Sequence, residues 1–425
     1  MRFAGQFGDG MFQAALSGAI LFNPERQTDP PAIAAGFAVL LLPYSVIGPY
    51  AGALLDRWDR RAVLLVANVL RALLIGVTSI GLATGIAETP LLLLALSVVG
   101  VSRFVMAGVS AALPHVLEPR WLVPMNSVLA TVASGCAAAG AAAAVAIIGA
   151  IGAGNLAGAV AVAASAAGSA IGAVCAARFA PRTLGPGDED RAADRAVSPV
   201  RAILTGLRTG ARAVLESAHC TIAMIGIGVH RIVFGADTLL MVLVLRRSAN
   251  DGDTLSRGLV GFGVAIAATA AGMLFAALLA PLVIPRLGRP RTVLVGLLTA
   301  LVVQTALVTP ITVTHGANTD IAHRLLLAGA FLLGLAGQTI KLTGDATMQI
   351  DIDDSRRGQV FALQDTVFNI AFVLAVAAAA LVVPIDGRSI GVVLAGSACY
   401  AVGIVAVAVI MAGSARPRSP VRSDR

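Results

Sequence analysis

Long apolar runs, each about long enough to cross a lipid bilayer, dominate this sequence. A bilayer core about 30 Å thick takes roughly 20 helical residues, and twelve such runs are separated by short clusters of Gly, Pro and charged residues. Only 13% of the residues are charged, too few to cover a water-soluble domain. We therefore expect an all-α integral membrane protein. The predicted spans are 3–22, 31–55, 62–86, 90–117, 125–150, 155–178, 219–245, 258–284, 291–313, 323–349, 358–384 and 389–412.

The basic residues predict how these spans are oriented. If the amino terminus is cytoplasmic, the cytoplasmic segments hold twenty-one of the 31 Lys and Arg residues and the opposite loops hold six. The positive-inside rule then places both termini in the cytoplasm. Topology explains the net charge of +8, so a nucleic-acid partner is not expected and the bilayer itself is the expected surroundings.

A polar stretch splits the spans into two sets of six. We expect an N-terminal half at 1–178, a cytoplasmic linker at 179–218, a C-terminal half at 219–413 and a basic tail at 414–425. Within the linker, Ser198 and Pro199 are suited to begin a helix. The residues that follow alternate apolar and basic side chains at helical spacing, which predicts an amphipathic helix on the inner membrane surface.

The two halves resemble each other weakly, which predicts two parallel six-helix repeats. Span one has fewer residues ahead of Asp9 than span seven has ahead of Asp237, so we expect the native start to lie upstream of Met1. The matching segments are 7–9 with 234–237 at an offset of about 228, 57–60 with 286–289 at an offset of about 229, and 118–120 with 354–356 at an offset of about 236.

The loop after the second span carries the most specific motif. Residues 52–61 read GALLDRWDRR, which resembles the G-x-x-x-D-R-x-G-R-R signature of the major facilitator superfamily, with Asp59 where the family usually has Gly. The second copy is eroded, since Pro281 and Pro285 replace its Gly and its acid. Segments 111–114, 126–127 and 357–363 resemble those of the branch that contains the enterobactin exporter and the bacterial lysophospholipid transporter. The resemblance implies transport by alternating access.

The signature loop also implies a cytoplasmic gate. Asp56 is expected to meet the positive end of span eleven near Gly358, and Gly52 permits close helix approach. The loop arginines are expected to pair with Glu118 in weak, exposed contacts. The alternative is that these arginines only satisfy the positive-inside rule. The expected gate residues are Gly52, Asp56, Arg57, Arg60, Arg61, Glu118 and Gly358.

Ionisable side chains inside spans are costly and usually face a cavity or a partner. His230 and Asp237 lie on one stripe of span seven and could share a proton, or His230 could make a structural interhelical hydrogen bond. Arg71 and Asp345 lie nearer span ends, where snorkelling is a sufficient explanation. The candidates for substrate binding or coupling are Asp9, Arg103, His230, Arg231, Asp237, Lys341 and Asp365.

Several classes of function are excluded or disfavoured. The one lysine follows Ile340, so there is no Walker motif for ATP, and no hydrolase constellation is present. The four cysteines show no metal or disulfide pattern, so neither an enzyme nor a cofactor or metal is expected. We expect a secondary transporter of the bacterial inner membrane that exports or flips an amphipathic molecule (lysophospholipid, siderophore or drug), with protons as the coupling ion. The alternatives are a non-transporting scaffold or sensor, and an accessory to a lipid-metabolising enzyme.

Overall fold

The fold is known from a computed structural model of the full chain. The structure describes residues 1–21, 30–31, 33–39, 58–152, 154–185, 199–250, 255–313, 319–384 and 387–414. These ranges are helical apart from short turns and contain no β-strand. The predicted all-α class is therefore confirmed.

Thirteen labelled helices account for most of the described residues. A 3₁₀ turn at Leu113–His115 follows α3, and a π turn at Gln304–Val308 joins α9 to α10. Residues 33–39 are also helical. The helices are α1 Arg2–Leu21, α2 Arg60–Ala83, α3 Glu88–Ala112, α4 Pro119–Ile151, α5 Asn155–Ala177, α6 Pro199–Glu216, α7 Ala218–Asn250, α8 Leu255–Leu287, α9 Arg289–Val303, α10 Thr309–Val313, α11 Thr319–Asp351, α12 Asp354–Ala380 and α13 Ile390–Ser414.

Ten helices among the described residues are long and apolar enough to cross a membrane. They correspond to the predicted spans from the third to the twelfth. The first predicted span is α1, which has 20 residues but carries Arg2 and Asp9, and these charges lower its hydropathy. Most of the second predicted span, residues 40–55, lies outside the described residues.

The eleventh span begins earlier than the sequence indicated. Its helix, α12, starts at Asp354, and the backbone amides of Arg356 and Arg357 both donate to the carbonyl of Asp353. Gly358 therefore lies in the second turn, away from the free amide groups that end a helix. The expected positive helix end near Gly358 is wrong by one turn.

The chain divides into two compact units. The first is Met1–Thr205 with Leu245–Val260, and the second is Gly206–Val244 with Gly261–Arg425. In the first unit α1 packs closely against α4, because a Cβ on Gly10 would overlap the backbone of Ala137. Small residues permit this approach in membrane helices, and it buries the middle of α1.

The second unit has a core of aliphatic and aromatic residues. Its fully buried members include Ile222 and Ile227 on α7, Leu297 on α9, Ile340 on α11 and Tyr400 on α13. Two of these helices carry polar residues described below, since His230 is buried on α7 and Gln304 is buried at the end of α9. A polar group inside this core must therefore find a partner within the protein.

The helix α6 lies where the linker predicted an amphipathic helix. Its described part alternates exposed Leu204 and Leu215 with buried Ala213 and Val214. A Cβ on Gly210 would contact the backbone of Gln359, so α6 packs on the start of α12. Placement of α6 on a membrane surface stays a prediction.

Candidate functional site

The first carboxylate of interest, Asp9, lies buried among three helices. Its Oδ1 is 2.6 Å from Nη2 of Arg71 on α2. It also accepts a hydrogen bond from the hydroxyl of Ser102 on α3, and Gln6 Nε2 donates to Oδ2 over 3.4 Å. The side chains of Asp9 and Arg71 are only 7% and 1% exposed. Asp9 is therefore a neutralised, hydrogen-bonded group within the first unit.

The position of Arg71 corrects the sequence interpretation. We expected it near a span end, with its head group reaching the membrane surface. It lies instead in the middle of α2, which spans Arg60–Ala83, and it is among the largest fully buried side chains. Its ion pair with Asp9 crosses 62 residues of sequence, which no local pattern could reveal.

The second carboxylate, Asp237, has a different partner. Gln304, at the start of the π turn, donates from Nε2 to Asp237 Oδ1 over 2.9 Å. Gly396 on α13 makes room for this amide, since a Cβ there would lie 3.1 Å from Nε2. Asp237 Oδ2 and Gln304 Oε1 are buried and have no hydrogen-bond partner among the described residues. No arginine within the described ranges neutralises Asp237 in the way that Arg71 neutralises Asp9.

His230 does not share a proton with Asp237. Its Nδ1 lies 3.1 Å from the hydroxyl of Tyr400, and its ring stacks on Phe234 with centroids 5.7 Å apart. Two helical turns put His230 and Asp237 about 10 Å apart along the axis, too far for a hydrogen bond. The geometry matches an interhelical hydrogen bond of a buried histidine.

Arg231 packs against the aromatic rings of two phenylalanines. Its guanidinium carbon is 3.8 Å from the ring centroid of Phe368 and 4.5 Å from that of Phe372, both on α12. Its Nε donates to the carbonyl of Phe368 over 3.0 Å. Among the described residues no carboxylate pairs with it. Arg231 is therefore a cation held by aromatic faces, with donors left for a ligand.

Lys341 and Asp345 form a pair on α11. Lys341 Nζ is 2.9 Å from Asp345 Oδ2, and Gln364 on α12 donates to Asp345 Oδ1 over 2.7 Å. Asp345 is therefore held by an ion pair and a hydrogen bond inside the protein. The sequence analysis had explained it instead by a side chain that reaches the membrane surface. The Lys341 ammonium also lies 5.9 Å from the Phe368 ring centroid, so this ion pair adjoins the contact between Arg231 and Phe368. The side chain of Asp365 is exposed one position after Gln364.

Arg103 is half-buried on α3. It follows Ser102, whose hydroxyl reaches Asp9. Arg103 was selected from the sequence because it is charged, but it is the uncharged Ser102 that contacts the Asp9 carboxylate. Sequence analysis named Arg71 without its partner, and it did not identify Ser102, Gln304, Gln364, Phe368 or Tyr400. A polar residue inside an apolar run was the available signal for Ser102 and Gln304.

The expected gate is only partly within the described residues. Gly52, Asp56 and Arg57 lie outside them. Arg60 is buried and donates from Nη1 to the carbonyl of Ala111 over 2.9 Å. Arg61 donates to the carbonyls of Ala177 and Phe179, each over 3.3 Å. Glu118 is exposed just before α4, and pairing of the loop arginines with it stays a prediction.

Asp59, the departure from the signature, caps a helix. It is the N-cap of α2, and its Oδ1 accepts from the amide of Arg61 over 3.1 Å. Its Oδ2 accepts from the amide of Arg182 over 3.3 Å. Asp is among the best N-cap residues, so the aspartate stabilises the start of α2 where Gly would cap it less well.

The corresponding loop of the second half has its own network. Asp351, at the end of α11, accepts from Arg289 Nη1 over 2.6 Å and lies 3.2 Å from His219 Nδ1. Ser217 also donates to Asp351 over 3.4 Å, and Cys220 is buried beside it. Sequence reasoning noted Arg289 but not its acid. The eroded loop therefore still holds a basic side chain in place.

Two cavities are bordered by described residues. A groove of about 1250 Å³ runs between α2 and α3 in the first unit and begins at Trp58. We assign this groove no ligand. A cavity of about 70 Å³ in the second unit borders Asp237. Within the described ranges, no three His, Cys, Asp or Glu side chains come together to hold a metal ion.

These features are those of a polytopic helical membrane protein with buried charges inside its spans, as a secondary transporter has. The family model of the Major Facilitator Superfamily matches residues 2–317. The chain therefore belongs to the major facilitator superfamily.

Two mycobacterial relatives support the same assignment. The chain is 42% identical over 414 residues to an uncharacterized MFS-type transporter of Mycobacterium tuberculosis, covering 95% of this chain and 88% of the relative. An uncharacterized MFS-type transporter of Mycobacterium bovis matches equally well. The chain is thus an MFS-type, multi-pass membrane transporter.

Solved structures share the fold. A variant of the nucleoside transporter NupG has a TM-score of 0.69 at 14% identity, covering 96% of this chain and 98% of that one. A POT family transporter in complex with a thioalcohol-conjugated peptide has a TM-score of 0.63 at 14% identity, with 97% and 94% covered. Identities this low describe the fold and leave the substrate open.

Proposed function

We propose that the protein is a secondary active transporter that exports or flips an amphipathic molecule by alternating access. The observation that supports this proposal is Arg231, a cation lying 3.8 Å from the Phe368 ring centroid without a carboxylate partner among the described residues. A positive charge inside a membrane span is energetically costly and usually faces a cavity or a partner. A ligand with an anionic group would supply the missing partner.

The surroundings of Arg231 favour an anionic amphipath. Guanidinium groups bind carboxylate or phosphate through two parallel hydrogen bonds. The rings of Phe234, Phe368 and Phe372 lie beside the charge and offer an apolar surface to an acyl chain or an aromatic group. Lysophospholipids and siderophores combine these features, whereas a cationic drug would be repelled by Arg231. The resemblance of 357–363 to the branch of the enterobactin exporter and the lysophospholipid transporter agrees with this choice.

Protons are the proposed coupling ion. A coupling carboxylate must gain and lose a proton during transport. Asp9 is ill suited because Arg71 holds it at 2.6 Å. Asp365 suits the role better because its side chain is exposed, whereas that of Asp9 is buried. We propose Asp365 as the proton carrier, in a protein of the bacterial inner membrane with both termini in the cytoplasm.

A binding experiment tests the substrate class. Purified full-length protein would be heated with lysophospholipids, phospholipids, siderophores or cationic drugs, because a specific ligand raises Tm by mass action. We expect a shift with anionic amphipaths that Arg231→Gln abolishes. Arg356→Gln is the matched control, since Arg356 pairs with Glu216 at the surface of the second unit. Arg103→Ala tests the first unit in the same assay.

A flux experiment tests transport and coupling. Proteoliposomes would be loaded with the ligand that shifts Tm, and efflux would be followed with and without an imposed pH gradient. We expect gradient-driven flux that Asp365→Asn uncouples. If a ligand binds but no flux occurs in either orientation, the scaffold or accessory role replaces the transporter proposal.

A further inference from the structure

The two halves neutralise their matching carboxylates in different ways. Asp9 has Arg71, but the offset of about 229 between the two signature loops puts Ala300 at the position that corresponds to Arg71. Ala300 is fully buried, and its methyl side chain carries no charge. Asp237 receives the neutral amide of Gln304 instead. Among the residues that the structure describes, the second half therefore has no fixed positive charge beside Asp237.

The unused atoms beside Asp237 are all of one kind. Asp237 Oδ2 and Gln304 Oε1 are both buried acceptors without a donor among the described residues. Leaving such an atom unsatisfied costs about 1–3 kcal/mol, and more for a charged group. Two neighbouring acceptors that lack donors indicate a missing positively charged or donating ligand.

The cavity next to Asp237 has the same character. Its polar lining consists of Asp237 and three threonines, Thr238, Thr269 and Thr312, and none of the described lining residues is Arg, Lys or His. Each hydroxyl proton is already donated to a backbone carbonyl of its own helix region, at 2.6, 3.0 and 2.7 Å. The hydroxyl oxygens can therefore only accept further bonds or coordinate a cation.

The cavity has room for more than a proton. Its volume of about 70 Å³ exceeds the roughly 10–15 Å³ that one water molecule needs. The π turn at Gln304–Val308 lies at its edge, since Val308 also lines it. Such turns are frequent at functional sites because they displace side chains and carbonyls from the regular helix.

We propose that this cavity is a binding site for a small monovalent cation, Na⁺, coordinated by Asp237 and threonine hydroxyls with Gln304 Oε1 beside them. Oxygen-only ligands suit a hard cation, and a single carboxylate balances one positive charge. The bound ion takes, in the second half, the place that the Arg71 guanidinium has in the first. The site does not depend on the proposed substrate or on proton coupling at Asp365.

The test measures binding without transport, so it fails or succeeds independently of the proposed function. Full-length protein would be melted in NaCl, KCl or N-methyl-D-glucamine chloride at constant ionic strength and at two pH values. We expect a saturable, Na⁺-selective rise in Tm of a few degrees. Equilibrium binding of ²²Na⁺ would give the affinity directly.

Three variants make the assignment specific. Asp237→Asn keeps the shape and an oxygen that can accept from Gln304 Nε2, so it should remain folded and lose the Na⁺ effect completely. Thr312→Val removes one coordinating oxygen and should weaken Na⁺ binding about tenfold. Asp353→Asn, which removes an exposed carboxylate outside the cavity, should keep the full Na⁺ response.

Two results would overturn the inference. If Tm depends on pH but not on which cation is present, and Asp237→Asn removes that dependence, the missing ligand is a proton. If Asp237→Asn keeps the Na⁺ response, the ion binds elsewhere.

Discussion

Asp9 and Arg71 form a buried ion pair, with 2.6 Å between Oδ1 and Nη2. Breaking such a pair leaves one uncompensated charge inside the protein, at a cost of about 3–5 kcal/mol. We therefore expect Asp9→Asn and Arg71→Gln each to lower the stability of the detergent-solubilised protein by that amount.

The double variant separates pairing from general damage. Asp9→Asn with Arg71→Gln removes both charges, so its loss of stability should be well below the sum of the single losses. Chemical or thermal unfolding of all four proteins gives the coupling energy. Additive losses would show that the two charges are stabilised by other groups.

The phenylalanine under Arg231 should contribute to ligand binding through its ring. Phe368→Leu keeps an apolar side chain but removes the aromatic face 3.8 Å from the guanidinium carbon. A cation–π contact is worth about 0.5–2 kcal/mol, so we expect ligand affinity to fall about twofold to thirtyfold.

Titration of the ligand identified by the Tm panel checks that prediction. Phe331→Leu is the control, because Phe331 pairs with Phe275 instead of Arg231. Equal affinity in the Phe368→Leu and unmodified proteins would remove the ring from the recognition argument.

Tyr400 should matter for stability and not for coupling. Tyr400→Phe removes the hydroxyl that lies 3.1 Å from His230 Nδ1, and a buried unsatisfied group costs about 1–3 kcal/mol. We expect a lower Tm with an unchanged pH dependence of flux. A shifted pH dependence would instead give His230 a part in proton transfer.

Cys220 reports on the network around Asp351. The thiol is fully buried, and its backbone amide donates to Ser217 Oγ over 3.2 Å. Asp351→Ala removes the acceptor of Arg289 and His219, so the start of α7 should open more often and Cys220 should react faster with a maleimide.

The labelling needs Cys136, Cys175 and Cys399 replaced by Ala. Asp353→Ala serves as the control because Asp353 lies nearby but bonds to Arg356. An unchanged labelling rate in Asp351→Ala would mean that the network does not hold the start of α7.

Sequence predicted the fold well because its signals are local. Apolar runs and short polar breaks place ten spans close to where the helices lie. Comparison of the two halves identified Asp9 and Asp237 because a Phe-Gly pair precedes each of them in the sequence. The helix start at Asp354 was missed because polar residues 354–357 read as loop, although they form the first turn of α12.

Partners across helices were not predictable in this way. Arg71 and Asp9 are 62 residues apart, and Gln304 and Asp237 are 67 apart, so only tertiary packing brings them together. His230 and Asp237 lie on the same face of one helix, which suggested that they pair. They are two turns apart along the helix axis, however, so their side chains do not meet. Gln304 carries no charge and therefore did not stand out in an apolar run.

The π turn also limits how far the two halves can be compared by position. The hydrogen bond of a π turn encloses one more residue than that of an α turn. The helix beyond Val308 is therefore rotated by about 100° relative to an uninterrupted α-helix. An offset taken between the repeats before Gln304 therefore mispairs residues from Thr309 onward by one position. Alignments of this protein with its relatives should allow a one-residue gap inside that span, where gaps in helices are normally penalised.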